Sequence, residues 1–328
     1  MILAGDIGGT KALLLLARVR RGRPVAVLER RYAVASCADF SAMLASFLDE
    51  CAPHLTRSRR ISSACFGAAG PTADNCIQMT NLGWRLDGAA IAAQSGIAQV
   101  RLVNDFAAAA AGVEALAPGD LATLQQGEPV AQAPRVVIGA GTGLGVAYAL
   151  PQGKRYQGIA GEGGHAGFSP ADEEQLRLWQ ALRAQFGRVS VEHVVSGDGL
   201  GRIYDFVRAG LPEAPSLRAS LSSEGVAAIT RYALEHGDAL AGRALDLFVA
   251  CYGAVAGDHA LAVTARGGVY VAGGIAPKIL SRLAGGGFMA AFNDKGAQAH
   301  LNRKVPVRVV TTERLGLLGA ALIAARGW

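Results

Sequence analysis

The sequence predicts a two-domain α/β protein, and three observations carry that expectation. The chain has 328 residues, about twice the length of a typical domain. A short apolar run, a Gly/Thr turn and a returning apolar run open the chain, and the same design recurs about 134 residues later. Between and after the two copies lie stretches of helical periodicity. Hydrophobic residues make up 51% and charged residues 18%, enough for a sizeable core, which excludes a disordered chain. The 43 glycines have no fixed short period and are joined by only 12 prolines, which excludes collagen and a Pro-rich disordered chain.

Residues 1–6 are apolar and end in Asp6, followed by Ile7-Gly8-Gly9-Thr10. Residues 12–19 are apolar again, an Arg-Gly-Arg-Pro turn follows, and residues 25–32 form a third run. This reads as an antiparallel meander of three strands. Phe40, Met43, Leu44, Phe47 and Leu48 then fall at i, i+3, i+4, i+7 and i+8, which predicts an amphipathic helix of about 12 residues. Residues 61–67 and 100–104 read as buried strands, and the Ala-rich stretch 106–117 as a helix. In the second copy, 135–140 and 144–150 are strands joined by Gly141-Thr142-Gly143. Residues 172–263 read as mostly helical, with Ser196 and Asp238 as N-caps. Residues 269–272 are a strand entering Gly273-Gly274, and Pro277 is suited to start the next helix. A strand at 305–311 and a helix at 315–326, stopped by Gly327, complete the reading.

The formal net charge is +6, and the basic residues are scattered apart from Arg18, Arg20, Arg21 and Arg23 around Gly22 and Pro24. No aromatic residues interleave with that cluster, so it reads as a solvated hairpin tip, and no nucleic-acid partner is expected. The five cysteines are odd in number and include no CxxC, which fits a reduced, cytoplasmic protein. The first six residues lack a basic segment and reach an acid at once, unlike a signal peptide. The longest apolar runs, near 13–17 and 247–257, fall short of the ~20 residues of a membrane span, so no membrane partner is expected.

Four constellations can carry chemistry. In Gly5-Asp6-Ile7-Gly8-Gly9-Thr10-Lys11, bare backbone can approach phosphate oxygens, Thr10 adds a hydroxyl, and Asp6 can hold Mg²⁺ directly or through water. The Walker pattern is absent, and the segment continues as a strand where a dinucleotide-binding loop would enter a helix. A plain Gly hairpin gives the same string, but the second copy, Gly141-Thr142-Gly143, doubles the signal. Asn104-Asp105 follows a strand: Asp105 is placed to take a proton from a substrate hydroxyl, with Asn104 on neighbouring hydroxyls, while an Asx turn capping the next helix is the structural alternative. Gly161-Glu162-Gly163-Gly164-His165 sets an acid and an imidazole on a Gly loop suited to a polyhydroxylated ligand, and Glu192, before Ser196-Gly197, can add another carboxylate. His193 reads as structural. Ala272-Gly273-Gly274-Ile275 ends a strand on bare backbone, against which a flat ring or an anion can sit.

Taken in order, these segments resemble the bacterial glucokinase family, within the hexokinase, Hsp70 and actin ATPase superfold. Gly5–Thr10 resembles its first phosphate motif, Thr80-Asn81-Leu82-Gly83-Trp84 its TNxxW segment, and Leu102–Phe106 its catalytic segment. Gly141–Gly145 resembles the second phosphate motif, Gly161–His165 with Glu192 and Ser196-Gly197 the sugar segments, and Ala272–Ile275 the adenosine motif; Gly316-Leu317-Leu318-Gly319 is similar to a further family string. The resemblance implies two αβ domains of ribonuclease-H-like/actin-like ATPase type flanking a central cleft, spanning 1–108 plus 313–328 and 109–312. It implies phosphorylation of glucose at its 6-hydroxyl by ATP with Mg²⁺, as the first step of glycolysis, in a homodimer. Asp105 would be the general base. Asn104, Asp105, Glu162, His165 and Glu192 would bind sugar. Gly5, Asp6, Ile7, Gly8, Gly9, Thr10, Lys11, Gly141, Thr142, Gly143, Gly273, Gly274 and Ile275 would bind nucleotide, with Asp6 on the metal. Lys11 stands where many relatives carry Asn, and Asp198 where Pro is common.

Related classes fit less well. Sister kinases carry a zinc-binding cysteine cluster and sister repressors a helix-turn-helix before the first strand, and neither is present. A sugar sensor would lack the Asp105 base, and a chaperone-like ATPase would lack Glu162 and His165.

Overall fold

The computed structural model describes residues 1–56, 59–79 and 82–326. The chain divides into two compact units: Met1–Pro118 with Ala147–Ala160 and Thr312–Trp328, and Gly119–Val146 with Gly161–Thr311.

The first unit is built on a five-stranded sheet of order β3-β2-β1-β4-β8, with β1 (Ile2–Ile7), β2 (Lys11–Arg20), β3 (Arg23–Ala33), β4 (Ser63–Ala68) and β8 (Gln99–Asn104). The first three form the antiparallel meander, while β1, β4 and β8 run parallel. Between β4 and β8 a small antiparallel sheet joins β5 (Thr72–Ala73), β6 (Cys76–Gln78) and β7 (Arg85–Asp87). Strand alternation sorts the side chains of the main sheet onto two faces. Leu3, Ile7, Leu14 and Phe66 pack under α1 (Phe40–Cys51) and α2 (Gly88–Ser95). Helix α1 presents Phe40, Met43, Leu44 and Phe47 inward, and Asp39 caps it by accepting from the Ala42 N–H at 2.7 Å. The opposite face, with Ile2, Ala4, Cys65 and Val103, is covered by Leu317, Ala320 and Ala321 of α12 (Leu315–Arg326) and by α3 (Asp105–Gly112). The two helices touch backbone to backbone: a methyl group on Gly319 would overlap the Ala108 carbonyl.

The second unit contains α4 (Glu173–Phe186), α5 (Gly197–Arg208), α6 (Pro215–Glu224), α7 (Ala227–Arg231), α8 (Ala239–Ala262), α9 (Leu280–Ala284), α10 (Gly287–Asn293) and α11 (Ala299–Asn302). The larger sheet has the order β12-β11-β10-β13-β14-β9, from β9 (Leu121–Gln125), β10 (Arg135–Ala140), β11 (Leu144–Gln152), β12 (Arg155–Gly161), β13 (Gly268–Ala272) and β14 (Val307–Val310); Ala147–Ala160, most of β11 and β12, counts with the first unit. The strand–turn–strand of β1 and β2 thus recurs as β10 and β11, as its repetition in the sequence predicts.

Helix α8 differs from the sequence reading, which found no run of membrane-spanning length. Its 24 residues are long and apolar enough to cross a bilayer. It is apolar all round because it is the core helix of the second unit: Leu245, Phe248, Tyr252 and Ala256 are buried, and Tyr252 meets Phe288 edge-on at 5.6 Å. Two helix ends also differ. The helix expected over 106–117 stops at Gly112, where α12 crosses so closely that a Cβ would overlap the Leu315 carbonyl, and Val113–Ala115 tightens into a 3₁₀ turn. Pro277 starts no helix; it lies in a run of turns, and the helix begins three residues later at Leu280. Ser196 and Asp238 are N-caps as expected, accepting from the Gly199 and Ala241 N–H groups. Gly327 lies outside the described residues.

Candidate active site

In the first unit the alternation along β1 places Asp6 on the same face as Ile2 and Ala4, toward α12. Room for its carboxylate comes from Gly316, in the first turn of that helix, which has no side chain to occupy the space. Burial pushes the Asp6 carboxyl up to about 7; the negative charge of Asp105 adds to the rise, and Lys11 opposes it. Asp6 is the penultimate residue of β1 and Asp105 follows β8, so both acids stand at the C-terminal edge of the parallel strands, with β4 between them. The turn between β1 and β2 is closed by Gly8 N–H donating to the Lys11 carbonyl at 2.9 Å, and Thr10 is exposed. The Lys11 ammonium donates to Glu313 Oε2 at 2.7 Å, and Arg31 approaches the same oxygen at 3.4 Å.

Asn104 is the N-cap of α3. Its Oδ1 accepts from the Phe106 and Ala107 N–H groups at 2.9 and 3.2 Å, and its amide donates to the Gly70 carbonyl at 3.3 Å. The capping alternative therefore describes what the Asn104 oxygen does. Asp105 begins the helix, and its Oδ1 accepts from Phe106 N–H at 2.9 Å.

The second unit assembles the other segments around the turn between β10 and β11. Gly141 N–H donates to the Gly143 carbonyl at 2.8 Å, and Gly197 N–H, at the start of α5, donates to the Gly141 carbonyl at 2.8 Å. One residue before the turn, Ala140 N–H donates to the buried Tyr252 hydroxyl at 3.1 Å, and that hydroxyl donates on to the Ile138 carbonyl at 3.3 Å. The Ala140 carbonyl accepts from Ile275 N–H at 3.3 Å, which ties the Gly273-Gly274-Ile275 segment to the same residue. Gly273, Gly274 and Thr142 are exposed.

Glu162 and His165 lie exposed on a 3₁₀ turn. The strip that follows them is laced to the Glu192 segment by Val191 N–H to the Ala166 carbonyl at 2.9 Å and Phe168 N–H to the Val189 carbonyl at 3.0 Å. His165 and Glu192 both act electrostatically on His193, so the three groups are neighbours. His193 itself is structural: its Nδ1 accepts from Ser190 N–H at 3.2 Å, its ring stacks on Phe186, and burial with the nearby Arg202 holds its pKa below the ordinary value. Glu192 turns one oxygen inward, and Oε2 accepts from Leu144 N–H at 2.8 Å.

Thr80 and Asn81 lie outside the described residues. Among the described residues no group of three or more His, Cys, Asp or Glu side chains converges on a point. Sequence reasoning did not find Tyr252 or Glu313. For Tyr252 a signal existed: a lone tyrosine inside an apolar helix carries a hydroxyl that needs a partner.

The glucokinase family profile matches residues 3–327. A glucokinase of Synechocystis is 41% identical over 99% of this chain and 98% of its own length. The crystal structure of a glucokinase from an Antarctic psychrotroph superposes with a TM-score of 0.85 at 28% identity, covering 99% of both chains. A ROK family glucokinase of Streptomyces griseus, solved with glucose and AMPPNP, shares the fold at a TM-score of 0.66 and 20% identity over 99% of both chains. The mixed α/β architecture is the actin-like ATPase type that the resemblance implied.

Proposed function

The chain belongs to the glucokinase family, the ATP-dependent hexose kinases, and from that premise we propose how its residues divide the transfer of the γ-phosphoryl of ATP to the 6-hydroxyl of glucose. The observation that carries the assignment is the placement of Asp6 and Asp105 at the same edge of the parallel strands β1, β4 and β8, near enough for the charge of Asp105 to raise the Asp6 carboxyl. It provides two acids within one unit.

Asp105 is the general base. Its carboxylate takes the proton of the 6-hydroxyl as that oxygen attacks the γ-phosphorus, so the developing alkoxide is never released as a free anion. Asn104, with its oxygen spent on the cap of α3, offers its remaining amide hydrogen to an adjacent hydroxyl. Asp6 serves the phosphate end. Mg²⁺ prefers one or two carboxylates plus phosphate oxygens, and a single acid beside a Gly turn fits that donor set. The ion, when bound, neutralises charge on the transferring phosphoryl group. In the second unit, Gly141, Thr142 and Gly143 offer backbone and hydroxyl donors to phosphate, and Gly273-Gly274-Ile275 offers bare backbone to the adenosine. Glu162 and Glu192 accept from sugar hydroxyls, and His165 donates or accepts.

Replacing Asp105 with Ala tests the assignment. Glucose-dependent ADP production should vanish while the variant still binds ATP; unchanged turnover would remove Asp105 as the base. The five cysteines are all free thiols, in keeping with a cytoplasmic enzyme. The family expectation of a homodimer is checked by light scattering coupled to size exclusion.

A further inference from the structure

We propose that Glu192 positions the phosphate turn, so that a carboxylate assigned to sugar also sets the affinity for nucleotide before any sugar arrives. The inference rests on reading Gly141-Thr142-Gly143 as the phosphate-binding element.

Three features of Glu192 support it. Its Oε2 is already committed, accepting from Leu144 N–H at 2.8 Å on the residue that closes the turn. Its backbone is anchored, because the Ser196 hydroxyl donates to the Glu192 carbonyl at 2.7 Å and is itself the N-cap of α5. Its carboxylate lies against the Cα of Gly143, where a methyl group would overlap it. Gly143 does not have a positive φ, so backbone conformation does not require glycine there; the approach of Glu192 does.

Leu144 is the joint. It is buried, so its N–H has no water to replace Glu192 as acceptor. The carbonyl of the same residue packs against Gly164 of the Glu162–His165 segment, where a side chain would also overlap. One residue therefore touches both sugar-binding segments, one through its N–H and the other through its carbonyl, at the point where the phosphate turn ends. The second oxygen of Glu192 remains to accept from a sugar hydroxyl. Load on that oxygen is transmitted to the turn through a single rigid carboxyl group, and by linkage the effect of sugar on nucleotide binding equals the effect of nucleotide on sugar binding.

The test is binding of an unhydrolysable ATP analogue, measured calorimetrically in the absence of any sugar. Glu192→Ala should weaken binding about tenfold, the effect of losing a hydrogen bond to a charged acceptor. Glu192→Gln keeps an acceptor oxygen and should stay within about twofold of the parent. Gly143→Ala, whose methyl displaces the carboxylate, should weaken binding as Glu192→Ala does. The double variant should be no weaker than either single one, because both changes break the same contact. Parent-like analogue binding in both alanine variants would overturn the inference alone and leave Glu192 as a sugar ligand. Failure of the parent to bind the analogue would overturn the reading of the turn itself.

Discussion

The carboxylate of Asp6 lies over the Cα of Gly316: a methyl group built there would come within 2.6 Å of Oδ2. The second glycine of that string, Gly319, serves packing, since it brings α12 against α3. Two glycines three residues apart on one helix thus do different work, and substitution separates them.

Gly316→Ala should move stability and activity in opposite directions. Alanine favours a helix over glycine by about 1 kcal/mol, so the thermal midpoint should hold or rise. The added methyl displaces the Asp6 carboxylate, and kcat should fall at least tenfold. Thermal melts and steady-state kinetics on one preparation decide it; a fall in both would mean that the helix, not the carboxylate, gives way.

Tyr252→Phe keeps the ring among Phe248 and Phe288 and removes only the oxygen that holds Ala140 N–H. Leaving that buried donor unpaired costs about 1–3 kcal/mol of stability, readable as a lower urea midpoint. Because Ala140 leads into the turn proposed for phosphate and its carbonyl accepts from Ile275 N–H, KM for ATP should rise severalfold while KM for glucose stays constant.

Lys11 and Glu313 form an exposed pair, so breaking it should change stability by less than about 1 kcal/mol. Glu313→Gln nevertheless releases the Lys11 ammonium beside the turn between β1 and β2, the first of the two proposed for phosphate. KM for ATP should drop in that variant, and the drop should disappear when Lys11→Ala is added.

Acid stability should depend on Glu213. Its side chain is only 5% exposed; Oε1 accepts from the Tyr204 hydroxyl at 2.7 Å and Oε2 from Arg218 at 3.0 Å. The Tyr204 bond above all, with Arg218 and Arg208, holds its carboxyl below the usual range against the opposing effect of burial. A depressed folded pKa contributes stability that is present above the unfolded value and lost as pH falls through the folded one. Urea midpoints should therefore decline below about pH 4.5 in the parent, and Glu213→Gln should start lower at pH 7 and decline less.

Local pattern made much of the fold legible. The spacing of Phe40, Met43, Leu44 and Phe47 marks α1, the side chains of Ser196 and Asp238 mark two helix starts, and the Gly/Thr turns mark the repeated strand pairs. Contacts between distant residues were not legible. Asn104 is adjacent to Asp105 in sequence, yet only the capping geometry shows that its oxygen is spent. Glu192 meets Leu144 across 48 residues and Tyr252 meets Ala140 across 112, separations that no periodicity encodes. The end of α3 at Gly112 was missed for the same reason: the Ala run 107–111 favours continuing the helix, and it is the crossing of α12 that stops it.

The position of α12 has a consequence for synthesis. Ile2, Ala4 and Leu13 are covered by Leu317, Ala320 and Ala321, roughly 300 residues further along the chain. At translation rates of about 5–20 residues per second, that apolar face of the nascent sheet waits on the order of tens of seconds for its cover. The residues of the second unit, Gly119–Val146 and Gly161–Thr311, all precede α12 in the chain. The half carrying Asp6 and Asp105 is the last to mature, and until then its uncovered strands are where a chaperone, or another nascent chain, would bind.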